Sequence, residues 1–421
     1  MTSYDDVATL VAGEATAART ALPGVEDAAV EVALRRAAHL VRQRRAELLA
    51  ANADDVAAAE GRLDAGSLDR LRLDDGRVET IAVSLEETAA LPPLDRDVRS
   101  WTLDNGLEIS ERRVPVGTIG ANFEARPNVA ADVASQVLKS GNTVVLRTGG
   151  AALRTVTALV DRALHPALED AGIPPATVGL VRTPERAGAE ALVSLPHLIP
   201  LVILRGSGPS TAALARRAAE HGVRTLAHAE GGGVLYVHAA ADPDKAVALA
   251  RASLDRLGVC NRLNLALADS REQAAALLPV FAEQGLEVRA TERAAGLDGV
   301  APLDTRIGHE WASDPDRVST VTLDVVDGLD DALRIANDET SGLAATIVTE
   351  DEAAARAFLD GYRGTGALWN ATTRFIDGFA LLGTPETGIN VGSTPGPRGP
   401  VSYRDLWLRQ YRIVGDGTQH R

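Results

Sequence analysis

Residues 255–267 read DRLGVCNRLNLAL, and Cys260 within them is the only cysteine in a chain of 421 residues. A thiolate is a competent nucleophile, whereas a lone buried cysteine behaves as a small hydrophobe, so the neighbourhood must decide between the two. Cys260 follows a helix-patterned run, PDKAVALARASLDRLG, and immediately precedes an apolar strand, NLALA. At such a junction the side chain can stand in a cleft. The backbone N–H of Cys260, with the Asn261 side chain nearby, would then suit a developing oxyanion.

Two further stretches offer anion-binding chemistry. The turn after LVILR carries Gly206, Ser207 and Gly208, two of the three glycines of a dinucleotide fingerprint, with Thr211 in place of the third. Glycines let backbone N–H groups approach a pyrophosphate, and a helix N-terminus favours its charge. LRTGG ends another strand, and its Arg147 presents a guanidinium that matches an adenosine 2′-phosphate. Taken singly, the first is equally a plain tight turn and the second a solvated surface arginine. Taken with Cys260, they point to a thioester intermediate and hydride transfer.

The eight histidines (39, 165, 197, 221, 228, 238, 309 and 420) show no pairing with Cys260 in sequence and read as structural or surface residues. No His, Asp or Glu cluster has metal-ligand spacing, so no metal site is expected.

The elements that must position these residues are legible as pattern. Residues 26–60 carry apolar positions at helical spacing, so roughly the first hundred residues are expected to be helical. SWTLDNGLEISERRVPVG (100–117) alternates instead, and Asn105-Gly106 is a strong hairpin signal. From residue 118 strands and helices alternate: VGTIGANF, then ADVASQVLKSG closed by Gly141, then NTVVLRT, a long helix, and further strands at ATVGLVRT, LIPLVILRG and VRTLAHAEG. Such alternation gives a parallel sheet with ligands at the carboxyl ends of its strands. A second α/β block starts near VLYVHAAADPDK and runs to about residue 395, and WLRQYRIVGDG reads as a final strand able to pair with the hairpin.

Composition bounds the rest. A chain of this length calls for two or three domains. One cysteine excludes a disulfide framework and suits a reducing compartment. The N-terminus lacks a basic stretch followed by an apolar core, and no apolar run approaches the roughly 20 residues of a membrane span. A formal charge of −15 argues against a nucleic-acid surface. A cytoplasmic chain with neither membrane nor nucleic-acid partner is expected.

Five blocks resemble, in order, the γ-glutamyl phosphate reductases (glutamate-5-semialdehyde dehydrogenases), a family of the aldehyde dehydrogenase superfamily. They are ERRVPVGTIGANFEARPNVAADVASQVLKSGNTVVLRTG (111–149), GVCNRLNLAL (258–267), DDALRIANDETSGLAATIVTED (330–351), ALWNATTRFIDGF (367–379) and PRGPVSYRDL (397–406). EARPNV, KSGN and NATTRFIDG are specific to the family. IAND-x-x-x-GLAA is shared across the superfamily.

The resemblance implies an aldehyde dehydrogenase-like α/β fold of two parallel α/β domains plus a small β oligomerisation element. The NADP-binding domain would take 1–100 and 118–235, the catalytic domain 236–395, and the β element 101–117 and 396–421. Cys260 falls on the family's nucleophile, with Asn261 beside it. Lys139, Ser140, Asn142 and Arg147 fall on the strand edge that holds the adenosine half of NADP(H). Gly206, Ser207, Gly208 and Glu230 accompany the cofactor loop. Glu124, Arg126, Asn128, Asn370, Thr373, Arg374 and Asp377 fall where the substrate cleft closes, with Arg126 and Arg374 as candidates for the acyl phosphate and the substrate carboxylate.

The implied reaction is NADPH-dependent reduction of γ-glutamyl phosphate to the semialdehyde, in proline biosynthesis. Its implied partners are a small acyl phosphate, the kinase that makes it, and further copies of the chain. Three stretches depart from the family pattern: EGGGVLYV lacks an Asn-Cys pair, GSTPGPRGP lacks a Lys and a His, and RGSG stands for RGG. These leave open a paralogous reductase of another acyl phosphate or aldehyde. A catalytically silent scaffold on the same fold is the reading outside the enzyme class.

Overall fold

The structure, a computed structural model, describes residues 3–63, 65–206, 208–228, 231–303, 309, 319–392 and 396–419. The chain opens with helices α1 (Tyr4–Ala21), α2 (Asp27–Gln43), α3 (Arg45–Ala59), α4 (Ala65–Leu71) and α5 (Asp75–Ala90), as the helical spacing requires. A hairpin of β1 (Asp97–Thr102) and β2 (Glu108–Pro115) follows. Its turn is not the two-residue form that Asn-Gly suggests. Leu103 N–H reaches Leu107 O at 2.9 Å and Gly106 N–H reaches Leu103 O at 2.8 Å, and Gly106 rather than Asn105 takes a positive φ, of 88°. This is a three-residue loop whose last residue must be left-handed, the position glycine fills without strain.

The first α/β domain then assembles from β3 (Thr118–Phe123), α6 (Asn128–Lys139), β4 (Thr143–Thr148), α7 (Leu153–Leu159), α8 (His165–Asp170), β5 (Val178–Leu180), α9 (Ala187–Leu192), β6 (Leu201–Arg205), α10 (Gly208–His221) and β7 (Arg224–His228). The strands lie parallel in the order β5-β4-β3-β6-β7. Alternate residues point to opposite faces, which sorts the core. Val144, Leu146, Leu201 and Ile203 pack under α2, α5 and α6 on one face. Val145, Val202 and Leu204 pack under α1, α9 and α10 on the other. Because both faces are covered, β3 and β4 are buried along their whole length and read as near-continuous apolar runs.

The second domain repeats the plan with β8 (Gly233–Val237), α11 (Pro243–Ala252), β9 (Leu263–Ala268), α12 (Arg271–Glu283), β10 (Glu287–Ala290), β11 (Val300–Pro302), β12 (Thr320–Val325), α13 (Leu329–Asp338), β13 (Ala344–Val348), α14 (Glu352–Gly361) and β14 (Gly366–Trp369). Its parallel order is β11-β10-β12-β9-β8-β13-β14. Leu235 and Val237 face α11 and α12, while Val234 and Tyr236 face α13 and α14.

The chain closes with β15 (Gly388–Asn390), β16 (Gly399–Val401) and β17 (Trp407–Val414). β17 runs antiparallel to β2, giving a three-stranded sheet β1-β2-β17 in which Glu111 of the middle strand meets Arg99 at 2.8 Å and Arg409 at 3.0 Å. This sheet therefore starts at Asp97, not 101. It also excludes β16, which pairs with β15 over Ile203, Leu226 and Ala227 of the first domain. Among the described residues no helix is long and apolar enough to cross a membrane.

Candidate active site

Cys260 sits in the turn between α11 and β9, at the amino end of a central strand of the second sheet. Its side chain is partly buried against Leu343, Ala344, Ile376 and Ile389. Burial pushes the thiol up to about 11, and the Glu386 carboxylate pushes the same way. Arg126, Arg205 and the residue's own backbone N–H pull it back toward the thiolate. These two arginines come from the first domain, so the nucleophile faces the seam between domains.

Arg126 and Arg205 reach that seam because β3 and β6 are neighbours and both end there. Glu124 N–H donates to Arg205 O at 3.2 Å, which locks the two strand ends together. Ala125 between them takes a φ of 38°, a strained left-handed value for a residue with a Cβ. Gly206 follows Arg205, and a Cβ there would stand 3.0 Å from the Glu124 carboxyl carbon. Gly208 is the buried first residue of α10, so the turn does lead from a strand into a helix N-terminus, as a phosphate loop requires.

Glu386 belongs to the loop before β15, where its Oε2 accepts the Gly378 N–H at 2.8 Å. Burial raises its carboxyl to about 7; Arg205 opposes the shift, and Asp377 and Asp132 add to it. Asp132 of α6 is likewise raised by burial against the pull of Arg205. It accepts from Ser84 and from Asn128, each at 3.0 Å. The site is thus two arginines together with a thiol and two carboxyl groups whose burial favours their neutral forms.

Gly231 completes the wall. A Cβ on it would stand 2.6 Å from Cys260 O and 2.7 Å from Cys260 Cβ, and Gly232 N–H donates to Cys260 O at 2.6 Å. Only glycine fits there.

Several expected site residues serve other ends. Asn261 does not face the cleft: its Nδ2 donates to Arg374 O at 3.2 Å and to Ile376 O at 3.0 Å, leaving no side-chain donor for an oxyanion. Thr373 Oγ1 donates to Asn261 O at 2.8 Å. The Arg374 guanidinium is held by Asp255 at 2.6 Å and by Asn261 Oδ1. Asn261, Thr373 and Arg374 thus clamp the cysteine turn to the loop after β14, and Arg374 is not available to a substrate. Asn370, at φ 49°, pairs both side-chain atoms with the Thr349 backbone. Asp377 accepts from Phe379 and Ala380 N–H and so caps the turn that carries Gly378.

Lys139, Ser140 and Asn142 lie at the wrong end of β4. The cofactor end of a parallel sheet is the carboxyl edge, about 16 Å further along the strand. Lys139 is 2% exposed and meets Asp27 of α2 at 3.1 Å. Ser140 Oγ donates to Val137 O at 2.6 Å. Asn142 accepts from Gly117 N–H at 2.9 Å and donates to Leu406 O at 2.8 Å, fastening the β-sheet element to the first domain.

Arg147 is at the correct edge. It is 7% exposed, donates to Asn122 Oδ1 at 3.1 Å and to Glu185 O at 3.1 Å, and keeps a buried Nε without a partner. Burial lowers its pKa, opposed by Glu124. Ser207 and Glu230 lie outside the described residues.

Sequence reasoning missed Arg205, Glu386 and Gly231. Arg205 carried a signal, since an arginine ending an apolar strand just before glycine is the same pattern as Arg147. Glu386 in GTPETGIN carried none. Among the described residues no group of three His, Cys, Asp or Glu could hold a metal ion.

A family profile, "Aldehyde dehydrogenase family", matches residues 5–256. The γ-glutamyl phosphate reductase of Erythrobacter litoralis is 38% identical over 411 residues, covering 96% of this chain and 95% of that protein. That of Sphingopyxis alaskensis is 39% identical over 429 residues, covering 98% and 96%. The crystal structure of the γ-glutamyl phosphate reductase of Thermotoga maritima superimposes with a TM-score of 0.89 at 28% identity, covering 98% of this chain and all of that one.

Proposed function

We propose that this chain, which belongs to the aldehyde dehydrogenase family and within it to the γ-glutamyl phosphate reductases, reduces γ-glutamyl phosphate to glutamate 5-semialdehyde with release of phosphate. The observation that carries the reading is a single thiol at the domain seam, packed against Ile376 and Ile389 and within reach of the charges of Arg126 and Arg205. The Cys260 thiolate attacks the acyl carbon, the carbon–oxygen bond to phosphate breaks, and the phosphate leaves with its electron pair, so Cys260 holds a thioester. Phosphate is a good leaving group, so this step needs no strong acid. NADPH, when bound, supplies the hydride that takes the thioester to the aldehyde level. Cys260 then departs as thiolate, and Arg126 and Arg205 stabilise that charge before and after the turnover.

For the cofactor, the cradle at Gly206, where a Cβ would meet Glu124, and the unpartnered Nε of Arg147 fit a dinucleotide whose 2′-phosphate lies at the end of β4. We assign the reaction to proline biosynthesis in the cytoplasm, carried out by a homo-oligomer. A second reading, a reductase of another acyl phosphate, is favoured by the departures of EGGGVLYV and GSTPGPRGP from the family pattern.

An oxidative-direction assay tests both. A panel of semialdehydes is offered with phosphate and with NADP or NAD. Glutamate 5-semialdehyde with phosphate and NADP should give the highest kcat/KM. A higher value with another aldehyde moves the function to the second reading.

A further inference from the structure

An acyl phosphate brings a nearly dianionic group to the nucleophile, and the bridging oxygen gains a further electron pair as the carbon–oxygen bond breaks. The protein must meet that charge with donors fixed before the reaction. Arg374 is committed to Asp255 and Asn261, and Arg147 to Asn122 and the Glu185 carbonyl. Arg205 differs from both: among the described residues no side chain or carbonyl holds its terminal nitrogens, and its Nε, like that of Arg147, is buried without a hydrogen-bond partner. Its backbone is pinned, because the Glu124 N–H holds Arg205 O and the parallel ladder holds Arg205 opposite Phe123 and His228. Thr387, Gly388 and Ile389 lie over Ile203 of β6, and Ile389 clusters with Cys260, so the end of β6 lies beside the nucleophile, where the Arg205 charge acts on Cys260, Glu386 and Asp132.

We propose that Arg205 receives the phosphoryl group of the substrate, gripping it through the attack of Cys260 and releasing it as inorganic phosphate. A guanidinium offers paired, coplanar donors that match two phosphate oxygens, which a lysine in the same place does not. Burial raises the carboxyls of Glu386 and Asp132 and so weakens their competition with an incoming anion for Arg205. The site is thereby specific for acyl phosphates over acyl esters or free acids, which bring no dianion to occupy Arg205. This inference rests on the acyl phosphate reading above, and its test separates the two.

The test alkylates the single thiol of the full-length protein with iodoacetamide over a range of inorganic phosphate concentrations, in wild type, Arg205→Gln and Arg205→Lys. Each protein is read against its own phosphate-free rate, because loss of Arg205 also makes the thiol less acidic. Phosphate should protect wild type. Half-protection should need about tenfold more phosphate or more in Arg205→Gln, the loss expected for one charge-assisted contact, with Arg205→Lys in between. In the oxidative assay the KM for phosphate should rise in the same order while the KM for the nicotinamide cofactor stays within about threefold. Equal protection of wild type and both variants overturns the assignment of Arg205 and leaves the acyl phosphate reading standing. A wild-type enzyme that neither needs phosphate nor is protected by it overturns both.

Discussion

Gly231 stands against Cys260 so closely that a single methyl group on its α-carbon would lie 2.7 Å from the cysteine Cβ. Such approaches are essentially forbidden, so one of the two backbones must move. The contact leaves no room for a Cβ at the first glycine of EGGGVLYV. Gly231→Ala should therefore lower kcat/KM about fivefold or more, from overpacking of roughly 1–3 kcal/mol, while cofactor affinity is kept. Cys260→Ser is the reference, with no turnover and an intact fold. If Gly231→Ala keeps wild-type kinetics and wild-type thiol alkylation, the close approach has no functional weight.

Arg147 is the residue that should distinguish the two nicotinamide cofactors. Arg147→Ala should raise the KM for NADPH about tenfold or more over its effect on NADH, since a charge-assisted contact contributes roughly 1.5–3 kcal/mol. The variant should also melt at a lower temperature, because Asn122 Oδ1 and Glu185 O lose their donor. Equal losses for both cofactors would confine Arg147 to that structural task.

Glu386 should make the site pH-dependent in a sense that can be worked out. The folded chain holds the Glu386 proton up to about 7, above the usual carboxylate range that the unfolded chain would show. Its contribution to stability is therefore present at low pH and lost as pH rises through about 7. Glu386→Gln, which cannot ionise, should match wild type near pH 4 and melt progressively higher than wild type as pH climbs to 7 and beyond. The same substitution removes a charge that raises the Cys260 pKa, so iodoacetamide should label the variant faster at pH 8. Slower labelling would mean that Glu386 takes the thiol proton rather than opposing its loss.

The C-terminal strand should carry assembly. β17 leaves Leu408, Tyr411, Ile413 and Val414 exposed, and Tyr411 meets Trp101 of β1 edge-on at 6.2 Å. Leu408 and Val414 lie on one face of the strand and Tyr411 and Ile413 on the other, and a small three-stranded sheet with apolar side chains exposed on both faces is marginal in water and invites a partner. Deleting residues 405–421 should lower the mass measured by light scattering, most simply from dimer to monomer, and increase dye binding to apolar surface. A truncated protein of unchanged oligomeric state would refute the role.

Local pattern alone determined much of this protein. Fully covered strands read as continuous apolar runs, covered helices as spaced ones, and glycines at positive φ as stops, because each depends on neighbours in the chain. That made two parallel α/β blocks, the hairpin and the final strand legible, and placed Cys260 ahead of a buried strand. The resemblance marked KSGN and NATTRFID as important without distinguishing what they do. Asn142 and Lys139 prove to fasten elements together at the amino end of β4, and Asn261, Thr373 and Arg374 to brace the cysteine turn. Only the tertiary structure decided that, since a polar side chain is spent or free according to which distant carbonyl or carboxylate it meets. Arg205 and Glu386, 181 positions apart by number, become one site because β6 ends where the loop before β15 crosses it. No local rule encodes that meeting. It follows from two separately folded sheets closing over a single thiol.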